Sequence, residues 1–88
     1  VIFSVGTVLK ITSQMDGKIA VNQGAAFPGL QWRNVKGPYI IILEKILSYT
    51  DNRIPDTKYW VFDLGAQRKT MVWEEDLEDC TETLSVVD

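Results

Sequence analysis

Short stretches in which apolar and polar residues alternate, rich in β-branched side chains, recur along this chain and predict strands packed on one face. Val5-Gly6-Thr7-Val8-Leu9-Lys10-Ile11-Thr12 is the first, and Lys18-Ile19-Ala20-Val21-Asn22 follows with a period of two. Asp16-Gly17 stands between them as a turn signal, so the two predict a hairpin. Residues 24–37 hold Gly24, Pro28, Gly29 and Gly37 and read as a long loop, with Leu30-Gln31-Trp32 as a short extended piece inside it. Tyr39-Ile40-Ile41-Ile42-Leu43-Glu44-Lys45-Ile46-Leu47 is the most apolar segment and predicts a central strand. Residues 48–57, with Asp51-Asn52 and Pro55-Asp56, predict a turn-rich connection.

Lys58-Tyr59-Trp60-Val61-Phe62-Asp63-Leu64 places Tyr59, Val61 and Asp63 on one face and Trp60, Phe62 and Leu64 on the other. The second set is larger and wholly apolar, so it is expected inside. Gly65-Ala66-Gln67-Arg68 then turns the chain into Lys69-Thr70-Met71-Val72-Trp73, a further strand. Glu74-Glu75-Asp76-Leu77 suits one turn of 3₁₀ helix, its acids facing the positive end of the backbone dipole. Glu78-Asp79-Cys80 is expected to return as a brief closing strand, leaving 81–88 as an acidic tail on a domain of residues 1–80.

Composition narrows the chemistry. The chain has 88 residues, enough for one small core and one functional surface. It contains no histidine, which removes the usual general base near neutral pH and the commonest metal ligand, so no enzyme activity, cofactor or metal is expected. A single cysteine, Cys80, allows neither an internal disulfide nor a zinc cluster and points to a reducing, cytoplasmic setting. The opening residues do not read as a signal peptide, and no apolar run is long enough to cross a bilayer as a helix.

The order of these signals, five short strands with a long loop after the first and a helical turn before the last, is that of a small, partly open SH3-like barrel. From Gly37 onward, the Gly-Pro-Tyr-Ile-Ile-Ile-Leu-Glu strand, Tyr59-Trp60-Val61-Phe62-Asp63 and the closing Val72-Trp73-Glu74-Glu75-Asp76-Leu77-Glu78 resemble small SH3-like proteins of tailed phages. The resemblance covers about half of the chain and implies an all-β phage or virion protein of structural or unknown role, residing in host cytoplasm or virion. Fold alone carries no activity. A non-enzymatic protein-interaction or structural module, binding a protein partner or its own copies, is the expectation. A nucleic-acid-associated SH3-like protein is the alternative.

Two features bear on the binding surface. Residues 1–73 carry nine basic and five acidic side chains, whereas 74–88 carry seven acidic and none basic, for a net charge of −3. Lys10, Lys18, Arg33, Lys36, Arg53, Arg68 and Lys69 would serve a nucleic-acid partner, but they are scattered in sequence and the overall charge repels phosphate. The aromatic residues divide by context: Trp60, Phe62 and Trp73 are expected in the core, and Trp32, Tyr39, Tyr49 and Tyr59, near loops, are expected with Arg33 at the binding surface. Trp32 is the first choice among them. The acids 74–79 lack the alternating spacing and central glycine of a calcium loop, and Cys80 reads as a small buried hydrophobe.

Overall fold

Seven antiparallel strands and one short helix make up the molecule, in a computed structural model that describes residues 3–22, 24, 26–27, 29–49 and 51–84. In chain order these are β1 (Val8–Ile11), β2 (Asp16–Val21), β3 (Gly29–Asn34), β4 (Tyr39–Tyr49), β5 (Pro55–Asp63), β6 (Arg68–Trp73), α1 (Glu74–Cys80) and β7 (Thr81–Thr83). They join in one sheet of order β3-β2-β6-β5-β4-β1-β7. The all-β expectation holds. Seven strands stand where the barrel reading expects five, and β3 comes from the segment read as a long loop.

The isoleucine-rich segment forms β4 in the interior of the sheet, paired with β1 on one side and β5 on the other. Ile40 and Ile42 point into the core, and a bulge between Ile42 and Glu44 shifts the register before the hairpin continues to Tyr49 and Pro55. Leu9, Met15, Val35, Tyr59, Val61, Val72 and Leu77 complete the core, with Phe3, Ile11 and Cys80 packed against it.

Four sequence expectations are corrected. Asp16-Gly17 is not a turn: both residues lie in β2, opposite Asn34 and Arg33, and β1 pairs with β4 and β7 instead of β2. The extended piece in the long loop is a full strand, β3, and among its neighbours Gln23, Ala25 and Pro28 lie outside the described residues. The alternation in β5 is as expected but its faces are exchanged: Tyr59, Val61 and Asp63 are buried, while Trp60 and Phe62 lie on the outer face, half-covered, and Leu64 is exposed. The acidic segment is a two-turn α-helix through Cys80, not one turn of 3₁₀ helix, because Leu77 and Cys80 must both reach the core from one helix face. The closing strand therefore begins at Thr81, and residues 85–88 of the acidic tail lie outside the described residues.

Asp63 explains why a carboxylate could displace an aromatic ring from the interior. Its Oδ1 accepts the backbone N–H groups of Gly37 at 2.9 Å, Gly65 at 3.0 Å and Ala66 at 3.3 Å, and its Oδ2 accepts that of Lys36 at 2.7 Å. A buried charge is tolerable when its lone pairs are filled in this way. The four bonds tie the β3–β4 connection to the β5–β6 turn, and the fit is close. A Cβ on Gly65 would overlap the Gly37 carbonyl oxygen and approach Lys36 Cβ to 2.9 Å.

Candidate functional site

The outer face of the sheet carries three tryptophans, each under an ammonium group. Lys18 Nζ lies 4.9 Å from the Trp32 ring centre, Lys69 Nζ 4.7 Å from Trp60 and Lys58 Nζ 4.6 Å from Trp73. Strand register produces two of these pairs directly, Lys18 with Trp32 across β2 and β3 and Lys58 with Trp73 across β5 and β6, and Lys69 reaches Trp60 diagonally. In each pair the ammonium charge meets the negative π face of the ring. Trp60 and Trp73 are thus half-covered outside the core, correcting the expectation that both fill it.

The candidate binding residues do not converge. Trp32 is half exposed on β3, beside Arg33. Arg33 Nη2 donates to Gln31 Oε1 at 2.6 Å and its Nη1 to the Trp32 carbonyl oxygen at 3.1 Å, which lays the guanidinium along the strand. Tyr39 and Tyr49 are exposed at opposite ends of β4, about 30 Å apart at the usual strand rise. Tyr59 is fully buried, so it cannot contact a partner. Its ring meets Phe3 edge-on with centroids 5.6 Å apart, and its hydroxyl donates to Glu74 Oε2 at 3.0 Å and accepts the Phe3 N–H at 3.4 Å.

Burial pushes the Tyr59 hydroxyl above its ordinary pKa; the Phe3 N–H opposes this, and Glu74, holding the proton, adds to it. A raised folded-state pKa favours the fold below the unfolded value and withdraws that support as pH climbs through the folded one. Denaturant melts of the wild type are therefore expected to lose stability above about pH 10, and those of Tyr59→Phe to lose less over the same range. Parallel curves for the two proteins would refute the assignment. The Cys80 thiol is also pushed up by burial and by Asp76 and Asp79, consistent with a packing role against the core and against nucleophilicity.

A concave surface gathers Arg33 with Lys36, Arg68 and Lys69, which the sequence offered only as scattered cations. β2 and β6 are joined at a single register position, Lys18 opposite Met71, and past it the ladder stops. Two adjoining clefts open along this seam beside the β5–β6 turn. One, of about 520 Å³, is lined by Ile19, Ala20, Trp60, Ala66, Gln67, Arg68 and Lys69. The other, of about 310 Å³, shares Ile19, Ala66 and Arg68 and adds Arg33, Asn34, Lys36, Asp63 and Thr70. Their charged lining is four exposed cations and one carboxylate, Asp63, whose oxygens already accept four N–H bonds.

The far end of β6 has the opposite character. A third cleft, of about 370 Å³, is bordered by Asp56, Trp73, Glu74 and Glu75, and α1 adds Asp76 and Asp79. Lys58 there is held at 3.3 Å by Asp56. The six residues of β6 separate the two ends by about 20 Å, so Arg33, Lys36, Arg68 and Lys69 gather at one end and the acidic run at the other. Sequence spacing hid this, because Arg68 and Lys69 lie far along the chain from Arg33 and Lys36. Among the described residues, no helix is long and apolar enough to cross a membrane.

Comparison with known proteins finds no matching family model, no similar curated protein and no similar solved structure.

Proposed function

We propose that this chain is a non-enzymatic protein-interaction module built as an SH3-like barrel, and that it takes an extended segment of a protein partner by strand addition at β3. The carrying observation is the contrast between the two edges of the sheet. β7 is three residues long, the usual way of blunting an edge. β3 is six residues long, every one exposed, and presents Leu30 and Trp32 at 51% and 50% of their full accessibility. An edge of that length offers a backbone ladder, and its exposed rings and side chains supply selectivity.

Chain order supports the barrel reading. The first strand pairs with the last, β4-β5-β6 is a continuous meander, and a short helix precedes the closing strand. In this reading β1, β4, β5, β6 and β7 form the barrel and the β2–β3 hairpin is an addition to it between β1 and β4. That arrangement is in keeping with the resemblance to small SH3-like proteins of tailed phages, and a place within a larger assembly belongs to the same proposal.

Peptides selected from an unbiased displayed library against the folded protein test the reading. Nuclear magnetic resonance of the labelled protein with such a peptide is expected to shift the amides of 29–34 and slow their exchange. Shifts concentrated at β7, or at the Tyr49 end of the β4–β5 hairpin, would overturn it.

A further inference from the structure

We infer that the segment added at β3 is acidic, its carboxylates seated over the seam by Arg33, Lys36 and Arg68; this rests on the strand-addition reading above. Gln31 and Arg33 share one face of β3, opposite Ile19 and Gly17 of β2, so Arg33 overlooks the seam from the edge strand. Lys36 and Arg68 border the same cleft from the β3–β4 connection and from the start of β6. The Gln31 bond holds the Arg33 guanidinium in place before any partner arrives, which lowers the ordering cost of binding. Asp63 offsets only part of this charge: it is one buried carboxylate, turned toward backbone N–H groups, against the cations Arg33, Lys36 and Arg68. An incoming carboxylate therefore meets a lining of four cations, Arg33, Lys36, Arg68 and Lys69, against the single carboxylate of Asp63.

A single-stranded nucleic acid would also seek cations beside aromatic rings, but three observations favour the peptide. The faces of Trp32, Trp60 and Trp73 that a base would stack on already carry lysine ammonium groups. The clefts hold four of the nine basic residues, and the acidic end, with a net charge of −3 overall, repels a polyanion. The bare edge of β3 offers main-chain pairing that only a polypeptide can complete.

The test is fluorescence anisotropy at about 150 mM salt with four labelled probes: short capped peptides alternating Val with Glu, Val with Gln and Val with Lys, and an oligo-dT strand. The Glu peptide is expected to bind about tenfold or more tightly than the Gln and Lys peptides and to weaken as salt rises. Arg33→Glu and Arg68→Glu should each weaken it by about fivefold or more, and Arg33→Gln and Arg68→Gln by less, with unchanged circular dichroism. Equal binding of all three peptides, shifting β3 amides throughout, would overturn the acidic preference while leaving strand addition standing. Failure of every peptide would remove both. Oligo-dT binding tighter than the Glu peptide, and lost on charge reversal, would replace the peptide with nucleic acid.

Discussion

Replacing Asp63 with Ala is expected to cost about 3–5 kcal/mol of folding free energy, the largest loss from any single polar side chain here. The carboxylate is buried and accepts four backbone N–H groups, so its removal strands donors at Lys36, Gly37, Gly65 and Ala66 together. Water can reach some of them once the turn loosens, which sets the lower figure. In a domain of this size each kcal/mol moves the melting temperature by about 4–8 °C, so calorimetry should show a fall of roughly 12 °C or more. Asp63→Asn keeps one acceptor oxygen but turns an N–H donor toward other donors, and should recover only part of the loss. A melting temperature within a few degrees of wild type for Asp63→Ala would mean that the β5–β6 turn and the β3–β4 connection do not depend on this knot.

Asp63 also marks where sequence reasoning met its limit. Alternation in 58–64 identified the strand and its two faces, because period-two patterning is local. Choosing the inner face required weighing an aspartate against a larger ring, and the aspartate won through partners 26 and 27 residues away in sequence. No local pattern reports such partners. The same holds for the candidate site. Trp32 and Arg33 were legible as exposed residues in an unusual context, and they lie on the exposed edge. The seam was not legible, since it arises from β2 and β6 parting after one register position and brings the neighbours Arg33 and Lys36 together with the distant Arg68. Tyr59 misled for a third reason: a strand flanked by polar turns looks solvated, yet its ring fills the core and its hydroxyl is satisfied by Glu74 and Phe3.

Gly17 offers the sharpest test of how the seam is built. Following an aspartate, it reads as a turn glycine, and at a turn an alanine would meet no side chain of β6. In the fold it sits within β2, buried, where a Cβ would overlap Thr70 Cγ2, reach 3.0 Å from Val72 Cγ1 and 3.1 Å from the Met71 carbonyl oxygen. The glycine is there so that two backbones can approach closely beside the one register position they share. Gly17→Ala is therefore expected to cost about 1–3 kcal/mol by overpacking, read from the midpoint of urea unfolding. Thr70→Ser removes the methyl group that the new Cβ would strike, so the double variant should regain about 1 kcal/mol relative to the sum of the single changes. Simple additivity would show that the methyl is not the obstacle and that β2 does not rest on Thr70. A favourable coupling would place the contact at the mouth of the basic clefts, where the spacing between β2 and β6 also decides how far Ile19 and Arg68 stand apart.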